Sequence, residues 1–92
     1  MELLSEEAIV RELAEVPGWN RTGNEIATTV QLTDFRAAML FAGAVGFLAE
    51  QANHHPDITI QWNRVTLTLS THSVRGLTSA DFALARRIAS LR

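Results

Sequence analysis

The chain of 92 residues contains no cysteine and only two prolines. Without cysteine it can form neither a disulfide framework nor a thiolate site, so the sequence does not encode a redox compartment. Basic residues are also sparse: there are eight, all arginine and scattered along the chain, and the formal net charge is -2 at pH 7. A surface that binds nucleic acid directly would instead cluster basic residues to neutralise phosphates. We therefore expect no direct nucleic-acid partner.

Targeting and membrane-spanning signals are missing as well. Residues 1–16 are acidic and amphipathic, and they lack the basic and apolar regions of a signal peptide. The apolar run over residues 37–49 is shorter than the roughly 20 residues that a membrane-spanning helix needs. We expect no membrane partner, and a cytoplasmic location is the default expectation.

Hydrophobic periodicity and turn signals predict an α+β domain over residues 1–92, in the order α-β-β-α-β-β-α. Capping and breaking residues mark the helices: Ser5 and Pro17-Gly18 for the first, Thr33-Asp34 and Asn53 for the second, and Thr78 for the third. A first hairpin is predicted between the first two helices, with one strand beginning at Trp19 and the other covering residues 26–32.

The clearest strand signal lies in residues 58–70, where apolar and polar side chains alternate. If Asn63-Arg64 is the two-residue turn, three cross-strand pairs follow: Trp62 with Val65, Ile60 with Leu67, and Ile58 with Leu69. This register places all six apolar side chains on one face of the hairpin and leaves a threonine-rich face opposite.

The second helix is apolar on every side over residues 37–49. A helix of this kind must be covered on more than one side, and Gly43 and Gly46 would let another backbone approach closely. We expect a subunit interface, although a helix sandwiched within one small domain would explain the same pattern.

All three histidines of the chain are predicted to converge at one end of the sheet. Glu50 lies about one helical turn before His54, so these two side chains can share one side of the helix end. The predicted hairpin returns His72 beside the pair His54-His55, and Asp81 begins the last helix close by. Such a cluster suits proton transfer near neutral pH. Two alternatives remain open: a zinc site formed by Glu50, His54 and His72, and a simple capping role for His54.

The spacing E-x3-H-H-P-x5-W-x9-H-x8-D closely resembles the signature of the pterin-4a-carbinolamine dehydratases, and its residues here are Glu50, His54, His55, Pro56, Trp62, His72 and Asp81. The resemblance extends over residues 32–88, from the second helix to the last. It implies a four-stranded antiparallel sheet with three helices packed on one face, assembled as a homodimer or homotetramer. It also implies that no metal, nucleotide or redox cofactor is needed.

The resemblance implies a pterin substrate. The reaction would remove water from 4a-hydroxytetrahydropterin to give quinonoid dihydropterin, in the recycling of the cofactor spent by aromatic amino-acid hydroxylases. The catalytic residues would be His54 and His72 as acid and base, with His55 mainly binding and orienting the substrate. Glu50 and Asp81 would hold imidazoles in the useful tautomer or anchor the pterin. Trp62 is expected to bind substrate at the rim of the cluster, unless it only packs in the core.

A non-catalytic role on the same fold is the alternative. The resemblance covers a family whose animal members also serve as dimerisation partners of a homeodomain transcription factor, and some relatives look like assembly factors. In that case the apolar helix would be the docking surface of a binding or assembly module.

Overall fold

The computed structural model of the protein describes residues 1–92. Its elements, in chain order, are α1 (Glu6–Ala14), β1 (Asn20–Thr22), β2 (Glu25–Gln31), α2 (Phe35–Ala52), β3 (Asp57–Gln61), β4 (Arg64–Leu69), a short 3-10 helix (His72–Val74) and α3 (Ser79–Ala89). This confirms the predicted order of helices and strands. None of the helices combines the length and the apolar character needed to cross a membrane.

The four strands form one antiparallel sheet in the order β1-β2-β4-β3. One face of the sheet is buried under the helices, and its core joins residues from every layer: Ile26, Val65, Leu67 and Leu69 from the sheet, with Ile9, Val45, Phe82 and Leu84 from the three helices. The opposite face is polar. There Thr29, Thr66 and Thr59 lie side by side on three strands, with Thr29 Oγ1 3.0 Å from Thr66 Oγ1. The predicted packing of three helices on one face is therefore confirmed.

The register predicted for the second hairpin is wrong by two residues. Ile58 pairs with Leu67 and Ile60 with Val65, so the turn consists of Trp62 and Asn63. A shift of two preserves the side-chain alternation, and the remaining apolar side chains still face the helices. Trp62 itself leaves the strand and enters the turn.

Contacts of Asn63 with the end of β2 explain this register. The Asn63 side-chain amide donates to Leu32 O at 3.1 Å, and Leu32 N–H donates back to Asn63 O at 2.7 Å. Because Asn63 is fixed to the neighbouring strand in this way, the turn closes one residue earlier than the sequence suggests. Trp62 then adopts φ of 49°, in the left-handed region that is costly for a residue other than glycine.

Helix α2 begins and ends where the capping residues predict. The Asp34 carboxylate accepts a hydrogen bond from Ala37 N–H at 2.8 Å, and the helix stops at Asn53, whose backbone is left-handed. Several large apolar side chains of this helix remain exposed in the single chain: Phe35, Met39, Leu40 and Phe47. A methyl group added at Gly43 or Gly46 would meet no other atom within 4 Å, so this side of α2 is open.

An exposed ion pair joins α1 to the edge of the sheet. Arg21 on β1 donates two hydrogen bonds to the Glu6 carboxylate, at 2.6 and 2.9 Å. These hydrogen bonds, and then the positive charge of Arg21, lower the pKa of Glu6, while the hydrogen bond to Glu6 raises the pKa of Arg21. The pair therefore holds both groups in their charged forms.

Candidate active site

The histidines lie where three elements meet. Helix α2 ends just before His54 and His55, the 3-10 helix begins at His72, and α3 begins a few residues later with Asp81 in its first turn. Backbone hydrogen bonds fix the chain as it leaves α2: Asn53 N–H donates to Glu50 O at 3.2 Å, and His54 N–H donates to Ala49 O at 3.1 Å. The end of the helix thus positions His54 through its backbone.

His54 is held by a buried carboxylate. Its Nε2 lies 2.6 Å from Asp81 Oδ1, and the exposed fraction is 13% for the His54 side chain and 0% for Asp81. Asp81 already accepts hydrogen bonds from Thr71 Oγ1 and Thr78 N–H, and a carboxylate can only accept, so His54 Nε2–H donates to Asp81. Nδ1 of His54 is then the ring nitrogen left free to exchange a proton.

His55 has a different environment from its neighbour. Its Nε2 lies 2.6 Å from Glu50 Oε2, and both side chains are largely exposed, at 56% and 77%. Glu50 therefore forms its hydrogen bond with His55 and not with His54, the histidine that lies one helical turn after it in the sequence. The left-handed Asn53 turns the chain out of the helix, and His54 is directed to α3 instead.

His72 is exposed at the start of the 3-10 helix, and its ring forms no hydrogen bond. The residue before it, Thr71, is buried and donates a hydrogen bond from Oγ1 to Asp81 Oδ2 at 2.8 Å. The carboxylate that holds His54 therefore also contacts the segment that carries His72.

Trp62 lies apart from this group. It is in the turn at the far end of β3 from His55, and 64% of it is exposed. Pro56 and the five residues of β3 separate the two, and the strand alone spans about 16 Å at roughly 3.3 Å per residue. Within one chain, the structure does not bring Trp62 to the histidines, because His55 precedes β3 and Trp62 follows it.

Two threonines complete the site and were not singled out as site residues from the sequence. Thr71 and Thr78 are both buried, and their hydroxyl oxygens lie 2.8 Å apart. Thr78 N–H also donates to Asp81 Oδ2 at 2.9 Å, within the capping box of α3. The capping box is visible in the sequence as Thr78 and Asp81, three residues apart, but nothing in the sequence indicates that Thr71 contacts the same carboxylate.

The arrangement suits proton transfer rather than metal ligation. No group of three or more His, Asp or Glu side chains lies close enough together to hold a metal ion. Glu50 contacts His55, and His54 contacts Asp81, so the three ligands of the predicted zinc alternative are not gathered. A cavity of about 190 Å³ exists elsewhere, between Trp19, Phe41 and Ile88, and no site residue lines it.

Comparison with known proteins identifies the family. The family model described as "Pterin 4 alpha carbinolamine dehydratase" matches residues 2–91. A protein of Nocardia farcinica named "Putative pterin-4-alpha-carbinolamine dehydratase" is 52% identical over 90 residues, which cover 98% of this chain and 95% of that protein. A protein of Roseiflexus castenholzii with the same name is 52% identical over 86 residues, covering 94% and 92%.

Two solved structures share the fold. The "transcriptional coactivator/pterin dehydratase" from Brucella melitensis superposes with a TM-score of 0.92 and 31% identity, covering 97% of both chains. A "pterin dehydratase-like protein" identified as a RuBisCO assembly factor of the alpha-carboxysome superposes with a TM-score of 0.65 over 79% of this chain and 84% of its own, at 20% identity. The second comparison bears on the fold alone.

Proposed function

The chain belongs to the pterin 4 alpha carbinolamine dehydratase family, and on that premise we propose that it dehydrates a 4a-hydroxytetrahydropterin to the quinonoid dihydropterin. This reaction would return a spent tetrahydropterin, such as that released by an aromatic amino-acid hydroxylase, to the pool that is reduced again. The observation that supports it best is the pairing of each adjacent histidine with its own carboxylate, His54 with Asp81 and His55 with Glu50.

The chemistry needs one proton donor and one proton acceptor. The C4a–O bond breaks as the leaving hydroxyl takes up a proton and departs as water, and N5 loses its proton as the C4a=N5 double bond forms. We assign these two transfers to His54 and His72. Each positioned acid or base typically contributes about 100-fold to 10,000-fold in rate. No redox change occurs, so no oxidant or reductant is required.

The two adjacent histidines, His54 and His55, would have different roles in the reaction. His54 is partly buried and fixed by Asp81, so its free Nδ1 has a defined direction. His55 is exposed, and its carboxylate partner Glu50 is exposed as well, so it can turn toward a substrate with little cost. We therefore assign substrate binding and orientation to His55 and Glu50, and the positioning of His54 to Asp81.

Dehydration of 4a-hydroxytetrahydropterin, followed by ultraviolet absorbance, tests this proposal. The wild type should accelerate the reaction over its spontaneous rate, and His55→Ala and His72→Ala should each remove most of that acceleration while the oligomer stays intact. Glu50→Gln should weaken activity, and Glu7→Gln, an exposed change on α1, is its matched control. A folded wild type that gives no acceleration would overturn the enzymatic function.

We further propose that the chain forms a homodimer or homotetramer through the open side of α2. Leu40 and Phe47 are 66% and 65% exposed, and they lie two helical turns apart beside the bare Gly43. Soluble proteins rarely leave such contiguous apolar surface uncovered. Light scattering on a size-exclusion column measures the assembly directly, and a monomer at micromolar concentration would contradict it.

A binding or assembly role is the second candidate function, and the same α2 surface favours it. The "transcriptional coactivator/pterin dehydratase" from Brucella melitensis shares 31% identity with this chain. Under this hypothesis α2 would dock a helix of another protein. Loss of a bound partner after Leu40→Glu, with the dehydration rate unchanged, would separate this role from catalysis.

A further inference from the structure

We propose that Thr71 is a positioning residue for His54, acting through Asp81. The proposal rests on the dehydratase function for its kinetic test only. The structural part concerns a hydroxyl group that contacts no histidine and is almost entirely buried, at 6% exposure of the residue.

The hydrogen bonds around Asp81 have a definite direction. The carboxylate can only accept, and Oδ2 receives Thr78 N–H at 2.9 Å and Thr71 Oγ1–H at 2.8 Å. Since the single proton of Thr71 is directed to Asp81, Thr71 Oγ1 can only accept in its contact with Thr78 Oγ1 at 2.8 Å. The one proton of Thr78 has a second acceptor within reach, Met1 Sδ at 3.1 Å, and a thioether sulfur is the weaker acceptor of the two. With that proton on Thr71, the chain of donors runs from Thr78 to Thr71 to Asp81.

These two donors hold the Asp81 carboxylate in one orientation. Because Thr71 and Thr78 occupy Oδ2, Oδ1 accepts His54 Nε2–H at 2.6 Å. Without the Thr71 hydroxyl, Oδ2 would keep one donor and the carboxylate would be free to turn about its last bond. Either oxygen of a carboxylate can only accept, so His54 would keep its proton on Nε2, but the length and angle of its hydrogen bond to Asp81 would lose their constraint.

Thr71 is itself held in place by the backbone. Its N–H donates to Gly76 O at 2.8 Å, and Gly76 N–H donates back to Thr71 O at 3.3 Å. The next residue is His72. Thr71 thus connects Asp81, the partner of His54, to the segment that carries His72. This connection would fix the distance between the two histidines proposed to transfer protons.

The experiment compares Thr71→Val, which keeps the shape and removes the hydroxyl, with Thr71→Ser, which keeps the hydroxyl. Proton NMR of the His54 Nε2–H group reports its hydrogen bond to Asp81 without any need for activity. We expect the wild type and Thr71→Ser to share one downfield Nε2–H resonance, and Thr71→Val to shift that resonance upfield and to exchange the proton faster with solvent. Thr66→Val, which removes a hydroxyl from the Thr29–Thr66 pair on the open sheet face, is the matched control and should leave His54 unchanged.

The kinetic expectation is a fall in kcat of about 10-fold to 100-fold for Thr71→Val, the range for losing one hydrogen bond to a charged group, with KM little changed and with rescue by Thr71→Ser. A folded Thr71→Val protein that keeps the wild-type Nε2–H resonance and kcat would overturn the proposal. If Thr71→Val does not fold, Thr71→Ala is judged by the same two readouts. A wild type without dehydratase activity would refute the proposed function, while the Nε2–H resonance of His54 would still decide the role of Thr71.

Discussion

Replacing Asp81 with asparagine should reverse the tautomer of His54 while leaving the fold in place. Asparagine has the same shape, but only one of its two terminal atoms is an acceptor. That oxygen can take the position of Oδ2 and accept from Thr71 and Thr78, as the carboxylate does. The amide NH₂ then faces His54 Nε2, which must become an acceptor, and the ring proton moves to Nδ1.

The magnitude follows from what is lost at each step. His54 would hold its proton on the nitrogen that the proposed mechanism needs free, so we expect kcat to fall about 100-fold or more, within the range for one positioned acid or base. Stability should fall by about 1–3 kcal/mol, because hydrogen bonds to a buried charge become neutral ones while every buried polar group still has a partner. The loss of stability is not larger because Thr71 and Thr78 still donate to the asparagine oxygen.

Three measurements test this prediction together. Ring-nitrogen NMR should show the His54 proton on Nε2 in the wild type and on Nδ1 in Asp81→Asn. Urea unfolding gives the stability change, and the dehydration assay gives kcat. An Asp81→Asn protein whose His54 keeps the wild-type tautomer would refute the assignment of Asp81 as the residue that sets it.

Three further predictions concern α2, the ion pair of α1 and the hairpin turn. Leu40→Glu should reduce the oligomer to smaller species by light scattering, whereas Val10→Glu, equally exposed on α1, should not; equal effects would argue against α2 as the interface. Because Arg21 lowers the pKa of Glu6, the pair adds stability above the ordinary carboxyl pKa of 4.5 and loses it as the pH falls through the folded value. The difference in unfolding free energy between the wild type and Glu6→Gln should therefore vanish in acid, and a difference that stays constant down to pH 3 would contradict this. Trp62→Gly should raise the unfolding free energy by about 0.5 kcal/mol, because relief of the left-handed strain slightly exceeds the cost of the greater conformational entropy of glycine in the unfolded chain. A lower unfolding free energy of Trp62→Gly, measured by urea unfolding, would contradict this and show that the indole ring forms stabilising contacts.

The order of helices and strands could be predicted because each element has its own local signal. Ser5, Asp34 and Thr78 cap their helices through hydrogen bonds within three residues, and alternation marks β4 over its full length. Such signals need no knowledge of the rest of the chain. The family signature then supplied the sheet and the side on which the helices pack.

The register of the second hairpin could not be predicted, because its deciding contact is distant in sequence. Two registers that differ by two residues place the same side chains on the same faces, so alternation does not distinguish them. The choice is made by the hydrogen bonds between Asn63 and Leu32, which are 31 residues apart. Trp62 follows β3 at the turn in either register, at the end away from the histidines, so the shift of two residues does not account for its distance from them.

The backbone conformation of Asn53 determines which carboxylate each histidine contacts. Helical spacing favours a contact between Glu50 and His54, and this contact would form if the helix continued through His54. It stops because Asn53 adopts φ of 49°, a conformation that asparagine tolerates better than most residues and that commonly ends helices. His54 then leaves the helix axis and reaches Asp81 on α3, while His55 returns toward Glu50. The consequence is chemical: the histidine bound to the buried carboxylate is rigid and keeps one nitrogen free, and its neighbour stays exposed and adaptable. Two adjacent and identical side chains thereby acquire different properties from a single turn of the backbone.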